Sequence, residues 1–147
     1  MKPKILVPFD FSAGAEAALA WAADLQRTSA AGPIQMVHAV STHPPGVAEL
    51  AFEVIAPSSD EIAELENRMK AFAHQHGADA EAIVLAAPIA VGDIILDASR
   101  SRGVDVIVMG THGRTGVRRL LLGSIAEHVL RRADCPVVSV HARALPS

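Results

Sequence analysis

Five short runs rich in valine, isoleucine and leucine punctuate the chain: KILVPF (4–9), IQMVHAV (34–40), EAIVLAA (81–87), DVIVMG (105–110) and PVVSVH (136–141). Runs of this length and β-branched content predict buried strands. Between them the apolar positions return every three or four residues, which is the helical period. A first helix follows Ser12, a ready N-cap, with Ala15, Ala18, Leu19, Ala22 and Leu25 along one stripe. A second opens on Ser58 with Glu61 three residues on, the spacing of a capping box, then carries Ile62, Leu65, Met69 and Phe72 as far as Gly77. A third spans roughly 91–102, with Ile94, Ile95 and Ala98 facing inward and Gly103 beyond its end. A fourth begins at Gly123-Ser124, is expected to bury Ile125, Val129, Leu130 and Ala133, and must stop before Pro136.

Strands and helices in strict alternation imply a parallel sheet covered by helices on both faces. Right-handed crossovers then restrict the order to doubly wound arrangements. The length of 147 residues suits one domain, 1–147, large enough for a substantial core. The one long stretch without a pattern is 41–57, STHPPGVAELAFEVIAP, a length usual for a lid, a binding loop or a flexible segment.

Composition narrows the partners. Aromatic residues make up 3% of the chain, too few for stacking platforms, so a nucleic-acid partner is not expected. No apolar run approaches the roughly 20 residues of a membrane-spanning helix, and the opening MKPKILVPFD does not read as a signal peptide. The single cysteine, Cys135, excludes an intrachain disulfide, fits a reducing cytoplasm and reads as a small packed residue. The net charge of −3 hides an asymmetry: residues 1–99 hold five Lys or Arg against thirteen acids, residues 100–147 eight Arg against three. That basic cluster surrounds a glycine-rich stretch and either faces an anion or is a set of solvated helix arginines.

The glycine stretch is GTHGRTG, leaving the end of the fourth strand, followed by Gly123-Ser124 at the start of the fourth helix. In an open parallel sheet, ligands sit beyond the carboxyl ends of the strands where the order reverses. Gly110 and Gly113 can bring backbone N–H groups close to a bulky anion, and the start of the fourth helix offers free donors and a favourable dipole. A Walker loop needs Gly-Lys-Ser/Thr, and the only lysines are Lys2, Lys4 and Lys70; a G-x-G-x-x-G after the first strand is also missing. What remains is Gly110, two residues, Gly113, nine residues, Gly123-Ser124.

That spacing resembles the nucleotide signature of the ATP-binding branch of the universal stress protein family. KILVPFDFS, VGDIILDAS and VDVIVMGTHGRTGVRRLLLGSIAEHVLRRADCPVVSV extend the resemblance along the chain. The resemblance implies a single Rossmann-like α/β domain with an open five-stranded parallel sheet ordered 3-2-1-4-5, and a homodimer. It places Pro8 and Asp10 on the adenine-ribose side and Val40 against adenine through its backbone. It places Met109, Gly110, His112, Gly113 and Arg114 around ribose and phosphates, and Gly123, Ser124 and Ile125 at the phosphates.

Asp10 could equally begin a turn and cap the first helix. His112 is expected to hydrogen-bond rather than act as a base. The pair His74 and His76 lacks the shared face and the third ligand of a metal site. Magnesium, if bound, would bridge ligand phosphates, with Asp10 as its candidate protein ligand. The expected function is a cytoplasmic, ATP-binding regulatory protein of the stress response, dimeric through the last strand, 136–141. The alternatives are a slow ATP hydrolase or phosphate-transferring enzyme, for which no catalytic lysine or general base stands out, and a nucleotide-free interaction protein.

Overall fold

A computed structural model describes residues 2–43, 56–111 and 122–142. Its elements are β1 (Ile5–Pro8), α1 (Ala13–Ser29), β2 (Ile34–Ser41), α2 (Ser59–Gln75), β3 (Ala80–Ala87), α3 (Val91–Ser101), β4 (Val106–Gly110), α4 (Ser124–Arg132) and β5 (Val137–Val140). The strands form one sheet in the order β3-β2-β1-β4-β5, and every neighbouring pair is parallel. The expected order and layering are both present.

Strand alternation divides the core in two. Ile5 and Val7 of β1, Ile34 and Met36 of β2 and Val108 of β4 pack with Ala15, Ala18, Leu19 and Ala22 of α1 and Met69 and Ala73 of α2. Leu6, Val37, Ile107 and Met109 point the other way, onto Ile95, Leu96 and Ala98 of α3 and Ala126 and Val129 of α4. β1 is apolar at every position because both of its faces are covered, as central parallel strands require.

Two helices are capped by their own sequence. Ala15 N–H donates to Ser12 Oγ at 3.1 Å. In α2, Glu61 N–H donates to Ser58 Oγ at 3.2 Å and Ser58 N–H to the Glu61 carboxylate at 2.7 Å, so the predicted capping box is formed. Such caps are worth about 1 kcal/mol each. No side chain caps α3 or α4.

The inward face of α4 differs from the sequence expectation. Ala126 and Val129 are its buried residues, whereas Ile125 is 39% and Leu130 46% exposed. Positions 126, 129 and 133 recur at helical spacing and turn to the sheet, and Ile125 and Leu130 each stand one position off that line. In α2, Met69 is fully buried while Ile62, Leu65 and Phe72 are half-buried.

Gly110 ends β4 against the first turn of α1. A Cβ built on it would stand 2.5 Å from the carbonyl carbon and 2.7 Å from the carbonyl oxygen of Gly14. Both obstacles are backbone, so no rotamer change relieves them. Gly110→Ala is therefore expected to destabilise the fold by about 1–3 kcal/mol, the usual range for overpacking, measured as a lower urea midpoint. An unchanged midpoint would show that α1 and β4 can separate freely.

Candidate functional site

The strand order reverses between β1 and β4, and a cavity of about 290 Å³ opens beyond their carboxyl ends. β1 contributes Pro8, Phe9 and Asp10; β2 contributes Val37, His38 and Ala39; β4 contributes Met109, Gly110 and Thr111. Three helix starts close the rim, through Ser12 and Ala15 of α1, Val91 of α3, and Gly123 to Ala126 of α4. The walls are mostly apolar, with a few polar groups converging, as in small-molecule sites.

The lip that follows β1 is held in an unusual shape. Ser12 N–H donates to Asp10 Oδ1 at 3.0 Å, a side-chain turn that also leaves Ser12 free to cap α1. Asp10 thus begins the turn and lines the cavity at once. Between them Phe11 adopts φ 63°, a left-handed conformation rare for a bulky residue and costing about 1–3 kcal/mol. Aromatic packing offsets that strain: Phe11 meets Phe9 edge-on at 5.1 Å and His38 at 5.4 Å, and the Arg68 guanidinium of α2 lies 4.3 Å from its ring centroid. His38 Nδ1 lies 2.8 Å from the Phe9 carbonyl, so that nitrogen carries the proton and donates.

Opposite the lip, α4 presents its amino end. Glu127 N–H makes the first helical bond, to the Gly123 carbonyl. The N–H groups of Ser124, Ile125 and Ala126 find no partner among the described residues, and all three residues line the cavity. Gly123 N–H itself donates to the Thr111 carbonyl, while Thr111 N–H donates to Val140, so α4, β4 and β5 are tied where the cavity begins. Uncapped donors and the positive end of a helix dipole favour an anion there.

Of the residues expected at a site, the structure brings Pro8, Asp10, Met109, Gly110, Gly123, Ser124 and Ile125 to this one cavity. His112, Gly113 and Arg114 lie outside the described residues. Val40 does not line it. In β2, Met36 and Val40 share one face and Val37 and Ala39 the other, so Ala39 reaches the cavity while Val40 borders a separate hollow with Leu65 and Arg68 of α2. Gly110 has a reason to be glycine apart from any ligand, its contact with Gly14.

Sequence reasoning missed Ala39, His38, Thr111 and Val91. The alternation of β2 was signal enough for Ala39; the others depend on long-range packing. Three described arginines of the basic cluster have partners away from the cavity. Arg100 pairs with Asp134 at 2.7 Å, a hydrogen bond that raises its pKa further, Arg131 pairs with Glu127 at 2.7 Å, and Arg132 with His128 at 3.0 Å. Of the HQH pair, His76 Nε2 lies 3.1 Å from Glu16 Oε1.

The chain matches the Universal stress protein family over residues 1–141. It is 50% identical over 46 residues to Universal stress protein MJ0531 of Methanocaldococcus jannaschii, a stretch covering 31% of this chain and 27% of that relative. The aligned stretch thus spans about a quarter of that curated relative. Among solved structures, the hypothetical protein MJ0577 of the same organism superposes with a TM-score of 0.70 at 26% identity, over 99% of each chain. The universal stress protein from Archaeoglobus fulgidus in complex with dAMP has the same fold, with a TM-score of 0.65 at 24% identity over 93% of this chain and 96% of that one.

Cys135, at the α4–β5 junction, is half-buried against the second core, and burial pushes its thiol pKa up. Less thiolate at a given pH means slower alkylation, because the thiolate is the nucleophile. At pH 8, iodoacetamide should label Cys135 several-fold more slowly in the folded protein than in urea. Equal rates in the two states would contradict a packed, unreactive thiol.

Proposed function

The chain belongs to the universal stress protein family, and on that premise we propose that it binds an adenine nucleotide in the cavity beyond β1 and β4, with ATP as the expected ligand and a regulatory role in the stress response. One observation carries the reading: the uncapped first turn of α4, whose three N–H groups without a partner among the described residues belong to residues lining a mostly apolar cavity. The phosphates lie on Ser124, Ile125 and Ala126, where the dipole and the Ser124 hydroxyl receive them. The family resemblance assigns His112, Gly113 and Arg114 to the ribose and phosphates. The base lies towards Val37, Ala39 and Met109, and the ribose at Asp10. The solved dAMP complex of the Archaeoglobus fulgidus relative supports an adenine nucleotide as the ligand to test first.

Binding is favoured over turnover. Asp10 and His38 are the ionisable side chains among the described lining residues, and one oxygen of Asp10 and one nitrogen of His38 are already engaged. A magnesium ion would be held chiefly by ligand phosphates, with Asp10 as the one carboxylate among the described lining residues. The same reading makes the protein a cytoplasmic homodimer that reports occupancy. β5 is an edge strand with half-buried Val137, Val138 and Val140, and pairing with a second copy along 136–141 protects that edge.

Two measurements test this reading. Small molecules released by heating the purified protein should include an adenine nucleotide, and calorimetry should show ATP or AMP binding that Gly123→Val combined with Ser124→Ala abolishes. Asp10→Ala should weaken binding about 10-fold, the equivalent of one or two hydrogen bonds; unchanged affinity in all these variants removes the site. For the assembly, light scattering at micromolar concentration should give a dimer for the native chain and a monomer for Val138→Lys, and a native monomer rules the dimer out.

A further inference from the structure

A polar tie, separate from the apolar contacts, joins α4 to α3. Asp93 sits in the first turn of α3, and its Oδ1 lies 2.8 Å from Nε2 of His128, one turn past Ser124 in α4. Arg132 Nη1 lies 3.0 Å from the other ring nitrogen, Nδ1. A guanidinium only donates, so Nδ1 accepts, and the ring proton is on Nε2, donated to the Asp93 carboxylate. His128 is held in one tautomer and one orientation. The backbone supports this independently: a Cβ on Gly92 would stand 2.5 Å from Cδ2 and 3.2 Å from Cγ of the same ring. The imidazole fits against α3 because residue 92 has no side chain. The neighbouring charges are satisfied elsewhere, Glu127 by Arg131 and Asp97 and Asp134 by Arg100.

We propose that His128 is the positioning residue of the anion site: through Asp93 and Gly92 it fixes how the first turn of α4 presents its N–H groups to the phosphate of a nucleoside phosphate. This rests on the nucleotide reading above. α4 has nine residues, and its buried grip on the sheet is Ala126 and Val129, which are neighbours on one stripe. Its two ends are tied as well, by Gly123 N–H to the Thr111 carbonyl and by Arg100 Nη2 to the Arg132 carbonyl. Between those ends, His128 supplies the contact on the flank facing α3. It is one turn from Ser124, so a displacement at the tie is carried by the rigid helix to the donors. His128 touches no ligand itself, and its contribution is confined to the phosphate end of the cavity.

The test measures AMP affinity by calorimetry and adenosine affinity by competition, in the native protein and in His128→Leu, Asp93→Ala and His128→Gln. Leucine removes the tie from α4 and alanine removes it from α3. Glutamine restores it, because its amide can donate to Asp93 and accept from Arg132. His128→Leu and Asp93→Ala should each weaken AMP by about 5- to 20-fold, the scale of losing one well-aligned hydrogen bond. Adenosine affinity should stay within about twofold, and His128→Gln should recover most of the AMP affinity. Equal losses for AMP and adenosine, or a loss that His128→Gln fails to recover, overturns the proposal as a merely structural effect. Native protein that binds both ligands with AMP affinity unchanged in His128→Leu overturns this inference alone. Native protein that takes neither ligand overturns the nucleotide reading and this inference with it.

Discussion

Gly110 approaches the backbone of Gly14 so closely that a single added carbon would stand 2.5 Å from the Gly14 carbonyl carbon. This contact draws the amino end of α1 onto the carboxyl end of β4, on the face of the sheet opposite α4. The Asp10–Phe11–Ser12 lip leads directly into that first turn of α1, so its position follows from the same contact. The start of α4 is placed from the other side, by the bond from Gly123 to the Thr111 carbonyl immediately after Gly110. Lip and helix therefore face each other across the point where the strand order reverses, and the cavity is the space between them. A side chain at 110 would separate the layers and widen that space.

Two of the four helices, α1 and α2, are capped by side chains, and two, α3 and α4, are not. α1 and α2 satisfy their first N–H groups with Ser12 and Ser58, which stabilises the scaffold. α4 has glycine where a cap would sit, and its donors are left for whatever enters the cavity. A glycine N-cap forgoes only a few tenths of a kcal/mol relative to Ser or Asp, so α4 gives up little stability by leaving its first donors to a bound anion. Without its own cap, α4 depends on neighbours for its position: on Ala126 and Val129 beneath, on the bonds of Gly123 to Thr111 and of Arg132 to Arg100 at its ends, and on His128 at its flank.

Much of this was legible in the sequence, for local reasons. The five strands and four helices follow from apolar periodicity, and Ser12, Ser58 and Glu61 cap where their spacing places them. The doubly wound class follows from the alternation, and the order from the resemblance. Periodicity alone is not enough where a choice depends on the third dimension. Val40 and Ala39 are adjacent, and the face each takes is set by the pairing of β2 with its neighbours. Ile125 and Leu130 fit an apolar stripe, yet the narrower line through Ala126 and Val129 meets the sheet. Gly110 reads as a ligand glycine and lines the cavity, and its contact with Gly14, nearly a hundred positions away, adds a packing requirement invisible along the chain. Asp93 and His128 carry no local motif, and neither does the left-handed Phe11.

The central claim is that the exposed donors at the start of α4 receive the anion. It is tested most directly by following backbone amide resonances of the ¹⁵N-labelled protein during titration with AMP. The account predicts that the amides of Ser124, Ile125 and Ala126 shift downfield and saturate together, at the same AMP concentration as resonances from Asp10 and Ala39. Saturable binding that moves the amides at Asp10 and Ala39 and leaves those of residues 124–126 in place would contradict it.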